Sequence, residues 1–233
     1  MLTLRKSEDR GIADFGWLNS HHTFSFGDYH DPKHMGFGPL RVINEDRVQP
    51  GRGFGAHAHR DMEILSWVLD GALEHKDSMG TGAVIRPGEI QRMTAGTGVT
   101  HSEYNASKSE NVHFLQIWIM PDKAGHTPGY EQHAFTPEEL ANRWALVASN
   151  EPAGKAVKVH QDANLYITRL SAGHELTHVT QKTRKLWVQV ARGEITLDGN
   201  TLGTGDGAAL SDVDHVTVRA DRDAEVLLFD MTA

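Results

Sequence analysis

The sequence predicts an all-β protein in two halves, and three observations carry that prediction. Short runs rich in β-branched and aromatic residues recur at 64–69 (ILSWVL), 113–120 (HFLQIWIM), 185–190 (KLWVQV) and 225–231 (EVLLFDM), bounded by Gly, Pro, Asp and Asn. Turn chemistry separates them, at Asp70-Gly71, Pro87-Gly88, Gly96-Thr97-Gly98, Arg192-Gly193 and Asp198-Gly199. These intervals suit a sandwich or barrel rather than βαβ units. A faint internal repeat sets WVLDGALEH (67–75) against VQVARGEITLDG (188–199), since in each an apolar strand reaches a glycine turn and a second strand follows.

Taken in order, Phe24, Phe26, Tyr29 and the Asp31-Pro32 turn predict a packed leader strand and loop. His21, His22, His30 and His34 therefore read as structural rather than metal-binding. Trp67, Trp118 and Trp187 fall in strand runs and are expected in the core. The segment from Pro121 to about Pro137, with Gly125, Pro128 and Gly129, is the expected connection between the halves. One helical signal follows it. In FTPEELANRW, Thr136 can cap, Pro137 suits the first helical position and Glu139 completes a capping box, so a helix is expected from 137 to about 144. The second half has His174, His178 and His215 but no His-x-His, and Gly173 and Thr177 disfavour the helix that would align His174 with His178. No second metal site is expected there.

Composition bounds the function. With 233 residues and 39% hydrophobic content, the chain can bury one large core or two of roughly 100 residues each. Its formal charge of −8 argues against a grip on phosphate backbones or anionic lipid. The absence of cysteine removes disulfides and thiolate ligands, so any metal must use His and carboxylate. The start, MLTLRKSEDR, lacks an apolar signal core, and the stretch from Val112 to Met120 is too short to span a bilayer. A soluble, cytoplasmic protein is expected.

The chemistry concentrates in GRGFGAHAHRDMEILSWVLDG (51–71), where His57 and His59 stand two apart. With 15 histidines in the chain, chance supplies about one such pair, so the pair alone decides nothing. A second pair changes the odds: His101 and Glu103 also stand two apart, directly after a Gly-rich turn. On a strand, residues i and i+2 share a face, so two such pairs on facing strands would converge on one point. Three imidazoles and a carboxylate suit Fe, Mn, Co, Ni, Cu or Zn without selecting among them.

The spacing also resembles a known pattern. Gly51, five residues, His57-x-His59, three residues and Glu63 is similar to the first motif of the cupin superfamily, with the closing Gly71 one place late. Of the second motif, Gly98, two residues, His101, three residues and Asn105 fit, while Gly96 stands where a proline is expected. The longer strings HTFSFGDYHDPKHMGFGPLRVINED (22–46), HAHRDMEI, AGTGVTHSEYN and LQIWIMP resemble the pirin family across nearly all of the amino-terminal half. The remainder resembles that family's degenerate second cupin domain.

The resemblance implies two cupin-type β-barrels, a metal-binding one over 1–130 and a degenerate one without metal over 131–233. It implies His57, His59, His101 and Glu103 as ligands of one divalent transition metal, iron foremost. The broader superfamily pattern instead points to Glu63. Glu103 is the expected ligand, because Arg60-Asp61 can bend the chain and turn Glu63 elsewhere, leaving it to orient an imidazole or to serve structure. The implied activity is that of a quercetin 2,3-dioxygenase: a flavonol chelates the metal, loses its 3-hydroxyl proton and combines with dioxygen, so that its central ring opens and carbon monoxide leaves. Glu103 is then the expected base as well as a ligand. The resemblance equally implies a regulatory protein whose metal controls a surface offered to a transcription factor or metabolic enzyme. A cavity beside the metal with room for a tricyclic flavonol would favour catalysis, and a filled barrel would favour the partner role. A monomer is expected, with no membrane or nucleic-acid partner.

Overall fold

Side chains that alternate between two faces along each strand fold the first half into two facing sheets, in a computed structural model that describes residues 1–233. The strands are β1 (Leu2–Arg5), β2 (Gly11–Asp14), β3 (Leu18–His22), β4 (Leu40–Val48), β5 (Gly53–His59) and β6 (Glu63–Asp70). They continue with β7 (Leu73–Asp77), β8 (Gly82–Ile85), β9 (Glu89–Thr94), β10 (Val99–Asn105), β11 (Val112–Ile119) and β12 (Gly129–Ala134). Seven of them run in the order β12-β9-β6-β11-β4-β3-β2, and four in the order β5-β10-β7-β8.

After the single α-helix α1 (Pro137–Leu140) come β13 (Ala145–Ser149), β14 (Val157–Lys158), β15 (Ala163–Leu170) and β16 (Glu175–Val179). The chain ends with β17 (Lys185–Leu197), β18 (Asn200–Gly203), β19 (Gly207–Ser211) and β20 (His215–Met231). They form one nine-stranded sheet with the path β1-β19-β17-β20-β15-β13-β14, to which β16 and β18 attach. The first strand of the chain thus belongs to the last sheet. Its junction is tied by Asp206, which accepts from the Ser7 backbone at 2.7 Å and from Lys6 Nζ at 2.9 Å.

The all-β, two-barrel architecture is as expected, and the four predicted runs lie in β6, β11, β17 and β20. The run ILSWVL is continuous rather than alternating because both faces of β6 are covered. Leu65, Trp67 and Leu69 face a core of 23 residues shared by the two halves, whereas Val68 joins a separate cluster with Leu73, Ile85 and Phe114. The second half also has a core of its own, 15 buried residues including Val188, Val190, Val226 and Leu228, with Leu2 and Leu4 of β1 packed against it.

Local expectations fared unevenly. The capping box forms, with Thr136 accepting from the Glu139 backbone, but the helix stops at Leu140, and Asn142 turns left-handed at φ 50°. The segment expected as a plain connection contains β12, which pairs with β9 from Gly129 to Ala134. Arg192-Gly193 is not a turn but an irregularity inside β17, where a Cβ on Gly193 would lie 2.1 Å from the Asp223 carbonyl oxygen. No helix is long and apolar enough to cross a membrane.

Candidate metal centre

β5 and β10 are hydrogen-bonded neighbours in the four-stranded sheet, with His57 opposite His101 and His59 opposite Val99. The His57 and His59 pair and His101 therefore meet side by side in one sheet rather than across two. Ring centroids lie 4.7 Å apart for His57 and His59, 4.5 Å for His57 and His101, and 4.9 Å for His59 and His101. One nitrogen from each ring falls within 4.8 Å of the others.

These residues fit a bound transition metal. His57 Nδ1 lies 2.7 Å from the Gly55 carbonyl, an acceptor, so Nδ1 carries the proton and Nε2 keeps a free lone pair. His101 Nε2 is buried with no hydrogen-bond partner, which is costly unless something else engages it. Burial, aided by the neighbouring imidazoles, pushes His59 down to about 4 and His101 to about 3, so both rings are neutral and able to coordinate at pH 7.

Glu103 follows His101 across a register shift in β10. It groups with His101 and His75 in a second, overlapping cluster rather than with His57 and His59. Its carboxylate accepts from Ser66 Oγ at 3.4 Å and Gln116 Nε2 at 3.1 Å. Burial, reinforced by the Asp46 carboxylate, raises it to about 7.

His75 was not singled out by the sequence. Its Nε2 lies 2.9 Å from Asp77 Oδ2, and its Nδ1 lies 3.5 Å from His101 Nδ1. One tautomer set satisfies the chain: His75 donates to Asp77, His101 donates to His75, and His101 Nε2 is left bare. The signal was present, since His75 and Asp77 have the same i, i+2 spacing on β7, which pairs with β10.

Glu63 lies in neither cluster. Asp61 adopts φ 50°, and the chain leaves β5 for β6 in the other sheet. Glu63 there accepts from Thr94 Oγ1 at 3.0 Å and meets His160 Nδ1, from the second half, at 3.3 Å. The leader histidines also form no metal cluster, though His22 is buried within a cavity wall. Trp67 and Trp187 are core residues as expected, whereas Trp118 lines the same cavity.

That cavity holds about 560 Å³ and reaches His57 and His59, with Phe26, Phe54 and Trp118 among its apolar walls. It lies within the roughly 300–1,000 Å³ typical of pockets for small organic ligands.

Residues 4–119 match the family model described as Pirin, and residues 146–231 match one described as Quercetinase C-terminal cupin domain. A quercetin 2,3-dioxygenase of Escherichia coli strain K12 is 48% identical over 231 residues, 99% of each chain. The chain belongs to the pirin family. A protein named putative quercetin 2,3-dioxygenase from Zymomonas mobilis is 39% identical over 229 residues, 98% of this chain and 97% of the relative. The crystal structure of the E. coli pirin YhhW in complex with nickel(II) superposes with a TM-score of 0.95 at 47% identity, covering 100% of this chain and 99% of that one. In this pirin the glycine found where a cupin proline was expected has a steric reason. Gly96 has φ 47°, and a Cβ there would lie 2.0 Å from the His126 carbonyl oxygen.

Proposed function

We propose that this protein is a metal-dependent dioxygenase of the quercetin 2,3-dioxygenase type, acting on flavonols with dioxygen. The observation that carries the reading is the cavity, of a size for a tricyclic ligand, that opens directly on His57 and His59. The names of the relatives supply the substrate class. We assign His57, His59, His101 and Glu103 as the ligands of one divalent metal, iron foremost.

Four protein ligands leave positions for a chelating substrate, and the bound metal supplies a Lewis acid that acidifies the flavonol 3-hydroxyl. The protein does the rest. Glu103, the one carboxylate among the assigned ligands, is the group we assign to take that proton. Gln116 and Ser66 hold its two oxygens in place. Phe26, Phe54 and Trp118 give the substrate an apolar slot that limits water around the reacting ring.

The test is oxygen uptake and carbon monoxide release by metal-loaded protein with quercetin. Both should occur, and both should vanish in His101→Ala. A flavone lacking the 3-hydroxyl should be inert, because it loses the ionisable proton and one chelating oxygen. If metal-loaded protein neither consumes oxygen nor releases carbon monoxide, the catalytic reading falls and the regulatory one replaces it.

A further inference from the structure

The inner face of the seven-stranded sheet carries a feature that packing alone does not explain. Register places His22 opposite Asn44, Asn44 opposite Gln116, Gln116 opposite Ser66, and Ser66 opposite Gln91. Five buried polar side chains therefore form one row across β3, β4, β11, β6 and β9. One residue further along β6 and β11, the opposite face is apolar, with Leu65, Trp67, Leu115 and Ile117 in the shared core. A polar row in a sheet interior costs stability unless each group is paired.

In its middle the row is paired, since Gln116 and Ser66 both donate to Glu103. At both ends it is not: Gln91 Oε1 is buried without a partner away from the cavity wall, whereas the His22 end opens on the cavity. His22 Nδ1 and Asn44 Oδ1 are buried without a partner, on residues only 4% and 1% exposed, and both residues line the cavity. Beside them, Asp46 lines the same cavity and accepts from Ser20 Oγ at 2.5 Å.

An aromatic strip joins this polar end to the histidines. His59 meets the Trp118 ring edge-on at 5.0 Å, Trp118 meets Phe26 at 5.3 Å, and Phe26 meets His22 at 5.3 Å. The cavity thus has a chelating end, an aromatic wall and a polar end. A planar aromatic ligand with polar groups at both ends matches that order. Hydroxyls suit the polar end best, because each both donates and accepts and so can pair with Asn44 and with either tautomer of His22.

We propose that His22, Asn44 and Asp46 form a second subsite that holds the hydroxyl groups of the substrate ring remote from the metal. This rests on the flavonol reading above and adds a selectivity to it. The site should favour substrates hydroxylated on the distal ring over those that share the chelating end alone.

Binding measured by calorimetry under anaerobic conditions, with metal-loaded protein, isolates the subsite from turnover. The two probes are quercetin and 3,5,7-trihydroxyflavone, which keeps the chelating end and lacks distal-ring hydroxyls. Quercetin should bind roughly tenfold or more tightly, because its absence leaves buried polar groups unpaired. Asn44→Leu should bring the two affinities together while metal content and affinity for 3,5,7-trihydroxyflavone hold. His22→Phe keeps the ring against Phe26 and removes both nitrogens, so it carries the same test if the Asn44 variant fails to fold. Equal affinities in the unaltered protein, or a preference unchanged in a folded variant, would overturn the subsite. Tight, selective binding without oxygen uptake would instead overturn the proposed reaction and leave the subsite standing. If neither flavonol binds, both fall.

Discussion

At His101 two systems of contacts meet: its bare Nε2 faces His57 and His59, and its Nδ1 faces the His75–Asp77 pair. A carboxylate that fixes a ligand through an intervening ring acts on affinity rather than on the reaction directly. Asp77→Asn should accordingly weaken metal binding about 10- to 100-fold, read by competition with a chelator. Unchanged affinity would show that His101 is held by packing alone. The carboxylates separate in the same assay. Glu103→Gln should lose metal or turnover, whereas Glu63→Gln should stay loaded, since Glu63 is spent on Thr94 and His160. A metal-free Glu63 variant beside a loaded Glu103 variant would reverse the assignment. The meeting of His57, His59 and His101 was legible because a period of two places His57 and His59 on one face, whereas Glu103 stands across a register shift and groups with His101 and His75. The polar row was not, because residues 22, 44, 66, 91 and 116 become neighbours only through the register of five strands.

Among the elements, β20 has the most to hold together, pairing with β15, β16 and β17. Its Asp230 gathers His178 Nε2 at 2.8 Å, Thr180 Oγ1 at 2.9 Å and the Arg184 guanidinium. Burial works to raise this carboxyl, but the hydrogen bonds from His178, Arg184 and Thr180 outweigh it and hold it below the usual range. A depressed carboxyl stabilises the fold fully above its unfolded value near 4, and that stability is lost as pH falls through the folded value. Asp230→Asn should therefore cost about 1–3 kcal/mol at pH 7, and the gap to the unaltered protein should narrow below about pH 4. Denaturant melts at pH 7 and pH 3 check it, and a gap that does not narrow would remove the charge from the explanation. The strand runs that build such elements were readable from composition and turn residues. What escaped was context: α1 ends where Asn142 turns left-handed, and β12 exists because β9 offers it an edge, which no local pattern reports.

Across the whole molecule, the two halves are not independent beads. They share the 23-residue core, Trp67 Nε1 donates to Glu225 Oε1 at 2.5 Å across the junction, and β1 is carried from the front of the chain into the last sheet. Exposing one half would uncover apolar surface on the other, so the chain should unfold as one cooperative unit despite its two barrels. Metal gives a clean way to ask. The proposed ligands all lie in the first half, so a bound ion stabilises that half directly and the second only through the shared core. If the halves are coupled, metal at about 100 times its Kd should raise a single melting midpoint by about 5–10 °C, reported equally by probes in both halves. Trp67→Phe, which removes the bond to Glu225 while keeping an aromatic ring in the core, should lower that midpoint without splitting it. Two transitions, of which only one moves with metal, would show that the barrels fold separately and that the shared core is a docking surface between finished domains.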